Sequence, residues 1–416
     1  MCGHVACLMP DDPNITEDPL RPLISTLLLL LAGCSGRSLP ATADDGSSCP
    51  TKLAIQTMPP FACNPVVFVG VTLAVAPQRV LFTDRATLGS NSGSDPDLFA
   101  IQTSSGTTQQ LTADSASTAL LGVDREAVLL AEVQDHDTPT RLALRDGEKV
   151  TELGSYLRPV AQPGATMYAA LPSHPVSGHS AVWRTEDSIY LYDGSAVRAL
   201  STASKASFGM PWIDGKQVVW SSHDGEDDEV YLHDGTTVHR LTDNSTNDRH
   251  PALSDGRVFW LCGQSEDAIC IWESGASRVL DTGTSCGAPD ADDGMASWIC
   301  DDQVRLFDGS VVRTVTTSSD VSRDGVQLDG GKLLWLEVNP GPISPASTGQ
   351  LVIWDGAATH VVAQVGLPCI WCNAYYPPLD LGLSDGAIGW SYASPPTYFG
   401  AGDAHCGWAR LTEACR

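Results

Sequence analysis

The chain has 416 residues, and 50 acidic against 24 basic side chains give it a formal charge of -26. That average field repels nucleic acid, and no local basic patch offsets it. An apolar content of 42%, a charged content of only 18%, 38 Gly and 27 Pro exclude a disordered chain and argue against long helices, leaving a turn-dense all-β fold.

Residues 1–19 (MCGHVACLMPDDPNITEDP) are acidic and proline-rich. Leu23 to Ala32 then read LISTLLLLLA, an apolar run of export-signal length and about half of what a membrane-spanning helix needs. A leader that begins at Leu20 has Arg21 as its positive segment. The next residues, Leu31-Ala32-Gly33-Cys34, resemble the lipobox of bacterial lipoproteins, in which small residues precede a cysteine that becomes the lipidated first residue. The resemblance implies acyl chains on Cys34 and a place in the cell envelope, at the outer membrane or cell surface or in the periplasm. The expected organisation is a signal peptide over 1–34, a polar tether over 35–64 and a single domain over 65–416.

Of 13 cysteines, setting aside Cys2, Cys7 and Cys34 leaves ten, an even number that favours disulfides in an exported chain. Sequence proximity suggests Cys49 with Cys63, Cys262 with Cys270, Cys286 with Cys300, Cys369 with Cys372, and Cys406 with Cys415. Spacing alone does not fix connectivity. The second pair has the best case, because Arg257 to Cys262 and Ala268 to Glu273 are expected strands of one hairpin. Cys369-Ile-Trp-Cys372 has the spacing of a redox motif or half a zinc site, but its flanks are loop-like and no second close pair exists, so a structural disulfide is expected.

A repeat of about forty residues organises the rest. One unit runs Arg249 to Trp260, Ala268 to Glu273, Ser274-Gly275, Ala276 to Leu280; the next runs Ala288 to Trp298, Gln303 to Phe307, Asp308-Gly309, Ser310 to Val315. Aligning a large apolar residue gives Phe82, Leu129, Trp183, Trp220, Trp260, Trp298, Trp335 and Trp390, with gaps of 37, 40, 38 and 37 between Trp183 and Trp335. Pro211, Pro251 and Pro289 stand nine residues before their Trp, where each opens a first strand. Two tight turns mark each unit. The first set includes Asp214-Gly215, Asp255-Gly256, Asp293-Gly294 and Asp385-Gly386; the second includes Asp146-Gly147, Asp193-Gly194, Asp234-Gly235, Asp308-Gly309 and Asp355-Gly356. Asp-Gly between β-rich runs predicts type I′ hairpins, and two hairpins per unit make four strands. The expected fold is therefore a β-propeller of four-stranded antiparallel blades, eight rather than seven, with Pro65 to Gly70 as the strand that completes the last blade.

Arg240-Leu-Thr-Asp, followed by His250-Pro251 and Ser254-Asp255-Gly256, resembles the linker between blades of TolB-type propellers, and Gln110-Leu-Thr-Ala-Asp-Ser115 is a weaker echo. The resemblance spans about Arg79 to Trp390 and implies a fold rather than a function. The α/β domain that precedes the propeller in TolB and the hydrolase domain that accompanies prolyl-oligopeptidase-type propellers are not expected, and neither is serine hydrolysis.

Acidic residues recur in the loops between second and third strands and in the linkers between blades. Asp187, Asp227, Asp228, Asp243, Asp248, Asp267, Asp301 and Asp302 should gather on one face as candidates for a calcium site or a surface for a basic partner. Solvated turns that blunt sheet edges are the plainer expectation. The ten histidines show no metal-centre spacing, so no catalytic metal or other cofactor is implied. Two function classes remain. One is a monomeric, lipid-tethered, non-catalytic propeller that binds or scaffolds a protein or glycan. The other is an extracytoplasmic enzyme, such as a carbohydrate-active hydrolase, with carboxylates at the channel; it requires two inward-facing acids about 5 to 10 Å apart, one with a raised pKa.

Overall fold

Strand pairing in the computed structural model follows the repeat. It describes residues 51–58, 61–62, 73–85, 96–113, 117–135, 138–154, 174–185, 188–201, 211–316, 318, 320–338, 348–366, 380–393 and 404–415. Eight sheets of antiparallel strands result. Blade 1 comprises Leu73–Ala76, Arg79–Arg85, Pro96–Gln102 and Thr108–Gln110, and blade 2 comprises Ser117–Asp124, Ala127–Asp135, Thr138–Asp146 and Lys149–Gly154. Blade 3 holds Val176–Ser177, Ser180–Arg184, Ile189–Tyr192 and Val197–Ser201; blade 4 holds Trp212–Asp214, Gln217–His223, Asp228–His233 and Val238–Arg240. Blade 5 contains Arg249–Ser254, Arg257–Cys262, Ala268–Glu273 and Ala276–Thr282, and blade 6 contains Asp290–Asp292, Met295–Cys300, Gln303–Phe307 and Val312–Thr314. Blade 7 is Ser322–Asp329, Lys332–Val338, Thr348–Trp354 and Thr359–Gly366. Blade 8 starts with Leu381–Ser384, Ala387–Ala393 and Ala404–Cys415. The fold is thus an eight-bladed β-propeller.

The fourth strand of blade 8 comes from the other end of the chain. Thr51–Thr57 pairs antiparallel with Ala404–Cys415 in the register Thr51↔Cys415 to Thr57↔Ala409, and Phe61–Ala62 extends that pairing at Cys406 and His405. The segment expected to be a polar tether therefore supplies the closing strand, and the expected closing strand, Pro65 to Gly70, lies outside the described residues. Closure of this kind covers an edge that a ring of sequential blades would leave open.

The eight aligned apolar residues all sit on second strands, and all are buried. Phe82, Trp183 and Trp220 stack on the residues directly across from them on third strands, Phe99, Tyr190 and Tyr231. Neighbouring blades share these cores: Val230 and Leu232 of blade 4, Phe259 and Trp260 of blade 5, and Trp298 and Phe307 of blade 6 form one cluster. Burying such side chains contributes roughly 1.5–3 kcal/mol each, and no blade alone could achieve it.

The two families of Asp-Gly turn differ. Asp255-Gly256, Asp293-Gly294 and Asp385-Gly386 have positive φ at both residues, as a type I′ turn requires. In Asp214-Gly215, and throughout the second family, only the glycine does, at φ 58° for Gly215 and Gly147 and at φ 90°, 99°, 92° and 97° for Gly194, Gly235, Gly309 and Gly356. There the aspartate caps the loop instead: Asp193, Asp234, Asp308 and Asp355 each accept two backbone amides two and three residues on. The type I′ expectation fails for these four because the aspartate stands before the loop rather than in it: its own N–H donates to the carbonyl three residues on, while the amide of that residue turns to its carboxylate.

Cys262–Cys270 and Cys286–Cys300 form disulfides. Cys262 lies opposite Ala268 and Cys270 opposite Trp260, so the first bond runs diagonally across the hairpin, with Cα atoms 5.9 Å apart. Cys406 is also disulfide-bonded. Its partner is not Cys415, because both lie on the continuous strand Ala404–Cys415, and nine extended residues separate them by about 30 Å, far beyond disulfide reach. The proposed pairs Cys49 with Cys63 and Cys369 with Cys372 fall outside the described residues. Replacing Cys262 and Cys270 together by Ser is expected to cost about 2 kcal/mol through loss of the short-loop constraint, read as a lower denaturant midpoint.

Candidate functional site

First strands of successive blades line a central cavity of about 390 Å³. The residue that ends each of these strands, just before the turn, is small and polar in seven blades: Asp124, Ser177, Asp214, Ser254, Asp292, Asp329 and Ser384. Six of them accept a hydrogen bond from a turn amide of the following blade. Gly178 N donates to Asp124 Oδ2 at 2.6 Å, Gly215 N to Ser177 Oγ at 2.9 Å and Asp255 N to Asp214 Oδ2 at 3.0 Å. Gly294 N donates to Ser254 Oγ at 2.9 Å, Gly330 N to Asp292 Oδ2 at 2.7 Å and Asp385 N to Asp329 Oδ2 at 2.9 Å. The channel mouth is therefore acidic, and its acids fasten blade to blade. This ring was missed in the sequence although its signal was present, as a recurring Asp or Ser immediately before each first turn.

Deeper in the channel, Asp290 of blade 6 is 1% exposed. Its Oδ2 accepts the Leu328 amide of blade 7 at 2.6 Å, and its Oδ1 accepts the Ala291 amide at 3.1 Å. His174, just before blade 3, stacks on Trp212 with ring centroids 4.2 Å apart and places Nε2 3.6 Å from Asp290 Oδ1. Burial pushes the Asp290 carboxyl up to about 8, so it is neutral at neutral pH; desolvation in the cavity wall also lowers the His174 imidazole, although 47% of its side chain stays open to solvent. Burial also raises Asp292, and lifts Asp329 to about 6. At the opposite side Leu73 N of blade 1 donates to Asp380 Oδ2 at 3.2 Å.

The predicted acidic residues lie at the other end of the propeller, where the loops between second and third strands and the linkers open. Asp187 is outside the described residues. Most of the others are occupied by local structure. Asp228 is buried and takes Arg249 Nε on Oδ2. Asp248, 2% exposed and pushed up to about 6 by burial, accepts Trp260 Nε1 at 2.7 Å and Asn244 Nδ2 at 2.6 Å. Asp243 is exposed and meets Arg240 at 2.7 Å. Asp267 is half-buried, and its carbonyl accepts the Gly283 amide at 2.8 Å. Asp301 Oδ1 accepts the hydroxyl and amide of Thr284 at 2.6 and 2.8 Å, which holds its carboxyl below the usual range. Asp302 Oδ1 accepts Ser322 Oγ at 2.9 Å.

Asp227 is the exception. It is 7% exposed, and neither carboxylate oxygen meets a donor. The structure groups it with two acids absent from the predicted set, Asp224 and Glu229, with one oxygen from each within 4.8 Å of the others. Burial, then Glu229, Asp224 and Glu226, raise its pKa.

Against the expectation that serine hydrolysis is absent stands Gly283-Thr284-Ser285-Cys286-Gly287, which has the Gly-x-Ser-x-Gly spacing of a nucleophile elbow. It is not an elbow in this fold. The stretch joins strands Ala276–Thr282 and Asp290–Asp292 with no helix after it, and Cys286 is tied to Cys300.

No family model and no curated protein matches the sequence. Solved structures do. The β-propeller domain of the Trilobed protease from Pyrococcus furiosus is 10% identical, with 73% of this chain covering 98% of that one at a TM-score of 0.46. What they share is the β-propeller fold. Putative TolB from Agrobacterium tumefaciens is 16% identical, with 64% of this chain covering 95% of that one and a TM-score of 0.32. Tricorn protease is 11% identical at a TM-score of 0.40; 82% of this chain aligns, and it spans only 39% of that protein.

Proposed function

We propose that this protein is an exported, lipid-anchored propeller of the cell envelope that binds or scaffolds a protein or glycan and performs no catalysis. The observation that supports the non-catalytic reading is the engagement of the channel acids. Asp290, the one pushed furthest up, has both oxygens on backbone amides and almost no exposed surface, while Asp292 and Asp329 each hold a turn amide of the next blade. A catalytic acid must reach its substrate and give up a proton freely. These groups hold the ring together instead. Export and anchoring rest on the apolar run ending at Ala32 and on Cys34.

Two measurements test the reading. In a bacterial host fed labelled palmitate, the wild-type chain should take up label and Cys34→Ser should not; equal labelling removes the anchor. Incubated with a panel of glycosides, the protein should show no turnover; hydrolysis that Asp292→Asn or Asp329→Asn abolishes would establish the enzyme instead.

A further inference from the structure

The loop that joins the second and third strands of blade 4 carries charge that the fold leaves uncompensated. Asp227 buries two carboxylate oxygens and Glu229, fully buried, one more, Oε2, with no donor for any of them. The cation at hand is Arg240, and it is shared. Its Nη2 lies 2.7 Å from Asp224 Oδ2, Glu229 Oε1 and Asp243 Oδ1, while its Nε donates to the Thr242 carbonyl at 2.7 Å. One guanidinium against Asp224, Asp227 and Glu229 leaves two formal negative charges, and the guanidinium sits on the Oε1 side of Glu229, away from the bare Oε2. Burying ionised oxygens without partners is costly, and a proton on Asp227 would not satisfy all three.

We propose that Asp224, Asp227 and Glu229 form a binding site for a calcium ion. The donor set is all oxygen, which selects a hard cation, and the charge left over matches a divalent one. Ligand oxygens on a single calcium ion lie 2.3–2.6 Å from it, so pairs of them can be no more than about 5 Å apart; the 4.8 Å limit within this group meets that requirement. Three of the six carboxylate oxygens are bare, both of Asp227 and Oε2 of Glu229, while Asp224 Oδ1 and Oδ2 and Glu229 Oε1 also hold loop amides or Arg240; water completes the shell through Asp224, whose side chain is 22% exposed. The site stands in blade 4, apart from the channel, and does not depend on what the channel binds.

The test uses the full chain, calcium chloride and a chelator. Calorimetric titration should find one calcium ion per chain, and saturating calcium should raise the melting temperature by several degrees. Asp227→Asn should weaken binding at least tenfold. Without calcium it should melt at or above the wild type, since it removes an uncompensated charge. Glu229→Gln should also lose binding, and Glu226→Gln, which removes a neighbouring exposed acid that is not a ligand, should keep it. The proposal is overturned if the wild type binds no calcium at about 1 mM, the weak end of extracellular sites. It is equally overturned if Asp227→Asn raises the melting temperature by the same amount with and without calcium, which is the signature of a protonated acid.

Discussion

Deleting Thr51–Thr57 should lower stability by on the order of 3 to 5 kcal/mol and make the protein self-associate. Seven residues of this strand pair with Ala404–Cys415. Each backbone hydrogen bond is worth roughly 1 kcal/mol net, and the deletion also removes Ile55, which packs against the core shared by blades 7 and 8. The ordering entropy no longer spent on the strand offsets part of the loss, which sets the upper bound. What remains is a strand whose edge is bare over Ala409–Cys415, and such an edge recruits strands from other chains. Denaturant unfolding followed by tryptophan fluorescence, with Trp390 and Trp408 in the affected blade, would show the midpoint shift, and light scattering would show the association. An unchanged midpoint would mean that the strand decorates the ring without closing it.

That strand was hidden in the sequence for a physical reason. Blade boundaries were legible because the signals are local: an Asp-Gly turn, a large apolar residue a few positions later, and the same pattern about forty residues on. Each of the eight positions from Phe82 to Trp390 lands on a second strand, and Arg257–Cys262 and Ala268–Glu273 have the expected bounds. Thr51–Thr57 has no such marker. Its partner lies more than 350 residues away, and its composition, TKLAIQT, is compatible with a tether. The Cys406 pairing failed in a related way, since sequence proximity does not reveal that two cysteines share one extended strand.

The acids illustrate the same limit at the level of a site. Counting them located the loops but not their burdens. Asp301 is occupied by the linker that follows blade 5 and Asp302 by the first strand of blade 7, whereas Asp227 is bare, and only the fold separates these cases. The channel ring joins residues 38 to 56 positions apart, such as Ser177 with Gly215 and Asp329 with Asp385. It becomes visible only when equivalent positions of adjacent blades are set side by side.

The buried Asp290 gives the second large effect: as pH rises from 6.5 to 8 the protein should lose about 2 kcal/mol of stability relative to its Asp290→Asn variant. A carboxyl raised by burial from 3.8 to about 8 binds its proton more tightly in the folded chain than in the unfolded one. The folded state therefore carries more protons between those values, and stability falls with rising pH at roughly 1.4 kcal/mol per unit for one such group. Below 6.5 the slope is mixed. His174, pushed down to about 4, contributes in the opposite direction, since the unfolded imidazole binds the extra proton there. Asp248 and Asp329, each raised to about 6, add to the fall until they have ionised. Just above 6.5 the unfolded imidazoles of His174, His233 and His250, each lowered in the fold, still bind protons that oppose the fall, so the contribution of Asp290 is read as the difference between wild type and Asp290→Asn. Asparagine imitates the protonated acid and can still accept the Leu328 amide through its carbonyl, so the variant keeps the link between blades 6 and 7, gives up the Ala291 contact equally at every pH, and removes the titration. Denaturant midpoints at pH 6.5, 7.25 and 8 would decide it. If wild type and Asp290→Asn decline in parallel, the ionisation lies elsewhere; if only the wild type declines, proton release at this one buried carboxyl limits how far the ring tolerates alkaline conditions.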